Sequence, residues 1–215
     1  VNKMKQRNIF SATLLSMASV VGFSQLFISP AFAEIVEKKG VEVKSADEIK
    51  GFEVAARSDR SDRGFGDSEA KMTMVLRNAA GQESSRSMRF TTLEIPDESV
   101  GDKSLVLFST PKDIEGTALL SHAKMLDPDD QWLYEDFTAS ELNKFSYTYL
   151  KAEACGDLQC DVVERIPRYE NSGYTKQVAW VDTTDYQIRK IEFYDRRGSL
   201  LKELKFEDYR KYSDS

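Results

Sequence analysis

Histidine is almost absent: His122 is the single one in 215 residues. A zinc site built from several imidazoles is excluded, and so is catalysis that needs two of them. The two cysteines, Cys155 and Cys160, are too few for a four-cysteine zinc site or an iron–sulfur cluster held within one chain. Eleven glycines and five prolines exclude a collagen-like or linker-dominated chain. What is present suits a soluble globular protein, with 40% hydrophobic and 31% charged residues. The length fits one domain, and no internal repeat or low-complexity segment is found.

Residues 1–33 have the pattern of a secretory signal. Lys3, Lys5 and Arg7 make a basic start, 9–28 is uncharged and mostly apolar or small, and Pro30 precedes Ala31-Phe32-Ala33. Cleavage is expected between Ala33 and Glu34, which exports the protein to the periplasm and leaves one domain over 34–215. The alternative is an uncleaved anchor, because the apolar run is nearly long enough to span a bilayer. Its serines and the A-x-A site favour cleavage. Removing 1–33 removes three positive side chains and no negative one, taking the net charge from −6 to −9. So acidic a protein is repelled by phosphate backbones, and nucleic acid is not expected as a partner.

Along the rest of the chain, Ser45-Ala46-Asp47-Glu48 has capping-box spacing, and Ile49, Phe52 and Ala56 follow at helical intervals. The spacing predicts an amphipathic helix over 46–60, with Gly51 as an internal cost of about 1 kcal/mol relative to Ala. From Glu69 the period becomes two. Met72, Met74 and Leu76 alternate with polar neighbours, Asn78-Ala-Ala-Gly81 turns the chain, and Met88 and Phe90 alternate on the return. Further strands are predicted at 105–108, 145–154, 161–166, 176–181, 187–194 and 199–209, with the apolar stretches 118–120 and 131–134 set off by a turn and a loop. A second capping-box spacing, Thr138-Ala-Ser-Glu141, heads a short helix to about Lys144. The sum is a mainly β domain, one antiparallel sheet of about eight strands with one long and one short helix.

Candidate chemistry is sparse. Cys155 and Cys160 flank a hairpin turn in an exported chain, which predicts a disulfide. A redox pair would need C-x-x-C at a helix start. Asp127, Asp129 and Asp130 lack the spacing of an EF-hand loop, so no metal site is assigned. Ser121-His122 lies in no nucleophile elbow. No catalytic residue and no cofactor is expected. The apolar stripes are more informative: Met72, Met74, Leu76, Met88, Phe90, Trp132, Tyr134, Val178, Trp180, Ile191, Phe193, Leu204 and Phe206. An ordinary core against the helix accounts for them. So does an acyl-chain cavity, because one helix is little cover for so large a sheet face and methionine adapts to variable apolar ligands.

The chain also resembles the outer-membrane lipoprotein-sorting (LolA-like) proteins, in the branch that accompanies RND-type exporters. The resemblance is carried by Gly64-Phe-Gly-Asp-Ser68 leading into Met72-Thr-Met-Val-Leu-Arg77, by Gly81-Gln-Glu-Ser-Ser-Arg-Ser-Met88, and by Asp102-Lys-Ser-Leu105. It continues in Asp113-Ile-Glu-Gly-Thr-Ala-Leu-Leu120, Asp129-Asp-Gln-Trp-Leu-Tyr134, Cys155-Gly-Asp-Leu-Gln-Cys160, Asn171-Ser-Gly-Tyr174 and Glu192-Phe-Tyr-Asp-Arg-Arg-Gly-Ser-Leu-Leu201. It implies a strongly curved antiparallel sheet forming a half-open β-barrel, with helices covering its concave face. It implies a periplasmic carrier that shields lipid or lipoprotein acyl chains, with an RND-type inner-membrane exporter or an outer-membrane acceptor as partner. A non-transporting sensor or adaptor on the same fold is the alternative. Relative to the family pattern, about two strands are expected to be missing after Tyr134 and others after 209, which would leave sheet edges open to pairing.

Overall fold

The computed structural model describes residues 45–64, 66–96, 100–122, 142–170 and 172–212. The expected signal and its Ala33–Glu34 cleavage site, the Asp127–Asp130 loop, Trp132, Tyr134 and the start of the second helix lie outside the described residues. Of that second helix, Leu142–Lys144 is a single 3-10 turn.

Helix α1 (Ala46–Ser61) begins where the capping box predicts. The Glu48 N–H donates to Ser45 Oγ at 3.1 Å, and the Ser45 N–H donates to the Glu48 carboxylate at 3.1 Å. Two amide donors that the helix itself cannot satisfy are thereby paired. Asp47 and Glu48 in the first turn and Arg60 in the last complement the helix dipole.

Among the described residues nine strands follow: β1 (Asp67–Arg77), β2 (Glu83–Leu93), β3 (Lys103–Thr110), β4 (Ala118–His122), β5 (Phe145–Cys155), β6 (Leu158–Pro167), β7 (Lys176–Asp182), β8 (Ile188–Tyr194) and β9 (Leu200–Tyr212). They form one antiparallel sheet in the order β4-β3-β2-β1-β9-β8-β7-β6-β5. Two meanders are thus joined through the pairing of β1 with β9, and β4 and β5 are the edges. Strand pairing shifts register at Glu69/Lys71, Ser87/Met88, Tyr149/Lys151, Trp180/Val181 and Phe193/Tyr194. Such bulges bend and twist a sheet, and the result is a curved, half-open barrel that does not close. The β1–β2 turn is built by Asn78, whose side-chain oxygen accepts the N–H groups of Ala80 and Gln82 at 2.9 Å, with Gly81 at φ +77°. The Cys155–Cys160 disulfide staples the β5–β6 hairpin diagonally, with Cα atoms 5.9 Å apart.

The helix packs on one face of the sheet at the β5 edge, where Phe52, Val54 and Ala56 join Phe145, Tyr147, Val163 and Val181 in a buried cluster. This face is the inner one. The approach is very close at Gly51, where a Cβ would stand 2.6 Å from the Tyr149 backbone nitrogen and 2.8 Å from the Thr148 carbonyl carbon. The glycine that weakens the helix is what lets it lie on the strand. At its other end the helix is tied to the β7–β8 turn. Arg57 donates to the Tyr186 hydroxyl at 3.3 Å, and Gln187 donates to Ser61 Oγ at 3.3 Å.

That turn is organised by Asp182, which is buried. Its carboxylate accepts the Thr184 N–H at 2.8 Å and Arg189 at 2.8 Å. Burial alone would raise its pKa, but these donors outweigh burial and hold it below the ordinary 3.8.

Two outcomes follow from these contacts. Gly51→Ala gains about 1 kcal/mol of helix propensity, yet it drives a methyl into rigid backbone, and overpacking of this kind costs about 1–3 kcal/mol or more. The urea midpoint is expected to fall; a rise would contradict the close approach. Because the folded pKa of Asp182 is depressed, its contribution is present above the unfolded value and is lost as pH falls through the folded one. Asp182→Asn is expected to cost about 2 kcal/mol at neutral pH. The gap to the parent should close below about pH 4, as read by urea unfolding at several pH values.

Candidate functional site

Strand alternation divides the sheet into two chemically different walls. On the inner face, Met72 and Met74 of β1, Met88 of β2, Val106 of β3, Leu204 of β9, Ile191 and Phe193 of β8 and Ala179 of β7 form one buried cluster. Leu76, Phe90, Phe108, Leu119, Tyr174, Ile188 and Phe206 pack against it, partly buried. Pairing makes this wall continuous: Ala179 faces Ile191, Ile191 faces Leu204, Leu204 faces Met74, and Met72 faces both Met88 and Phe206. Met72 and Met88 are 1% exposed and Leu204 0%, so the wall is a close-packed surface in this state.

Of the residues expected from sequence to line a cavity, Met72, Met74, Leu76, Met88, Phe90, Ile191, Phe193, Leu204 and Phe206 are brought together here. Val178 and Trp180 are not. They lie on the outer face with Cys160 and Val162. The physical reason is that β7 is buried on both sides from Gln177 to Asp182, so polarity gave no phase, and the bulkier residues were assigned inward. The pairing of Ala179 with Ile191 puts the small residue inward and the tryptophan outward. There the Trp180 indole N–H donates to Glu153, and Lys190 Nζ lies 3.4 Å from the ring centre. Trp132 and Tyr134 lie outside the described residues.

Val106, Phe108 and Ala179 are among the inner-wall residues that escaped the sequence pattern. Val106 and Phe108 sit in a strand apolar on both faces, and only the Phe90–Val106 and Met88–Phe108 pairings give them a side. Ala179 is too small to stand out in a stripe.

The wall ends in polar groups. Gln177 is buried beside Ala179, and Lys202 beside Leu204. Lys202 Nζ lies 4.8 Å from the ring centres of both Tyr174 and Phe193. At the helix-covered flank, burial pushes the Tyr147 phenol well above its usual range, and the nearby Arg165 guanidinium opposes the shift. Among the described residues, no group of three His, Cys, Asp or Glu side chains is placed to hold a metal ion, and no helix is long and apolar enough to cross a membrane. The arrangement can bind apolar surface.

Among curated proteins none matches the chain. One family model, described as an uncharacterized protein, matches residues 133–215. Solved structures match more broadly. A Vibrio parahaemolyticus domain assigned to the outer membrane lipoprotein-sorting proteins is 30% identical, covers 77% of this chain and 94% of its own, and superposes with a TM-score of 0.50. A DUF1329 family protein from Desulfovibrio piger is 16% identical, with 78% of this chain and 94% of its own covered and a TM-score of 0.52. MucB is 9% identical, with 77% and 60% covered and a TM-score of 0.50. These last two share the fold alone. The Vibrio match runs over nearly the whole of its domain at an identity that fold similarity by itself does not require. This chain belongs to the outer membrane lipoprotein-sorting (LolA-like) family.

Proposed function

We propose that the protein is a periplasmic carrier that holds lipid or lipoprotein acyl chains against the inner wall of its half-barrel and passes them between membranes, to or from an RND-type exporter or an outer-membrane acceptor. The observation that carries this is the continuous methionine and aromatic surface across β2, β1, β9 and β8. Family membership supports it. Each buried methylene is worth about 0.8 kcal/mol, so an acyl chain of about fifteen gains roughly 12 kcal/mol. That is enough to offset parting a packed wall, and unbranched methionines re-pack readily around a guest. Cleavage after Ala33 would deliver the carrier to its compartment. On this reading Trp132 and Tyr134 would extend the lining, while Val178 and Trp180 support the sheet from outside.

A second reading is a non-transporting sensor or adaptor on the same fold. It is favoured by the short strand β4, which has no further partner strand among the described residues and whose Leu120 is 74% exposed.

The two are separated by lipid retention in protein purified without detergent. Met74→Gln keeps the side-chain length but places an amide in the wall, where burial without partners costs about 1–3 kcal/mol. Retention should drop about tenfold or more. Leu107→Gln, one residue along from Val106 on the outer face, should retain lipid like the parent. Near-UV circular dichroism confirms folding in both. Equal retention by the two folded variants would remove the inner wall as the binding surface.

A further inference from the structure

One line of strand pairing changes the character of the inner wall. Arg165 faces Gln177, Gln177 faces Phe193, and Phe193 faces Lys202. Each lies two residues along its strand from an apolar wall residue, namely Val163, Ala179, Ile191 and Leu204. In the apolar line, Arg86 faces Met74 and adds a third cation at the same end. These two lines carry no inward carboxylate, although the chain is acidic overall. Most acids of the same strands lie on the outer face and are paired there, whereas Asp161 of β6 shares the inward parity of Val163, four residues from Arg165. Glu164 pairs with Lys176 at 2.7 Å, Glu192 with Lys190 at 3.1 Å and Glu203 with Lys205 at 3.2 Å. Positive charge is thus segregated to the end of an apolar surface.

The groups on this line are held in place. Tyr174 and Phe193 have ring centres 4.9 Å apart, and Lys202, 6% exposed, lies against both. Arg165 stands over the Phe145 ring at 5.3 Å. Between them Gln177 is 1% exposed, and its side-chain oxygen accepts no hydrogen bond among the described residues. A buried acceptor left unpaired is costly, and this one is aimed into the wall that the carrier reading assigns to acyl chains. The backbones bearing Arg165 and Lys202 are three strand spacings apart, about 14 Å. Arg165 stands over Phe145 of β5, on the far side of β6 from Lys202, so a head group that engages both cations draws Arg165 off that ring.

We propose that this line is a head-group site selecting acyl lipids with an anionic head, a carboxylate or a phosphate. The proposal rests on the carrier reading above. The chain lies on Met74, Ile191 and Leu204, and the charge lies between Lys202 and Arg165. The Gln177 oxygen accepts from a hydroxyl or amide N–H of the head. Charge-assisted hydrogen bonds in a dry site are the strong ones, so they supply preference among lipids, while the apolar wall supplies affinity common to all of them.

The test uses the purified, delipidated protein and two fluorescent probes, dansylaminoundecanoic acid and its uncharged methyl ester, at about pH 8 where the acid is ionised. The unsubstituted protein should bind the acid about tenfold or more tightly than the ester. Lys202→Met and Arg165→Met should bring the ratio close to one, and Lys202→Arg should restore it. Displacement of the bound acid by oleate, by palmitoyl-lysophosphatidylglycerol or by both supports the site and tells which anion it takes. Equal binding of acid and ester by the unsubstituted protein overturns the head-group site and leaves the carrier standing. Failure to bind either probe overturns the carrier reading itself.

Discussion

The contact of α1 with the β5 backbone at Gly51 decides which face of the sheet is inside. With no side chain at that position, the helix lies so close to β5 that a Cβ there would stand 2.6 Å from the Tyr149 backbone nitrogen. Its apolar stripe then reaches Phe145, Tyr147, Val163 and Val181. Arg57, Ser61 and Gln187 fix the other end of the helix to the β7–β8 turn, which Asp182 and Arg189 hold in shape. A helix pinned at two points closes one flank of an open sheet. The methionine-rich wall of β8, β9, β1 and β2 lies beyond that flank, on the same face.

Charge follows the same division. On the outer wall, acids and bases of β6 to β9 sit across from one another, and the Lys190 ammonium rests on Trp180. Exposed pairs of this kind add little stability. On the inner wall, Arg165 and Lys202 lie in one line of strand pairing with Gln177 and Phe193 between them. An interior that is apolar along most of its length and positive at one end suits an amphiphile with a charged head.

Much of this was legible in the residues. The capping box gave the start of α1, and the period of two in β1 gave Met72, Met74 and Leu76 their side. The Asn78 turn and the cysteine spacing gave two hairpins. Legibility failed where period carries no polarity. β7 and β3 are apolar on both faces, so Trp180 and Val178 were placed on the wrong wall for a lining while Ala179 and Val106 were passed over. Gly51 read as a defect of the helix because its benefit lies on β5, almost one hundred residues away. Lys202 and Gln177 do not stand out in the sequence because they are polar, although Lys202 shares the parity of Leu204 and Gln177 that of Ala179. Charge directed inward is visible only once the register is known.

The central claim is that the inner wall carries acyl lipid. Native mass spectrometry of the protein taken from periplasm without detergent tests it most directly. The account predicts a species heavier than the polypeptide by the mass of a lipid, released on denaturation. A bare chain that also takes up no lipid from added vesicles would contradict it.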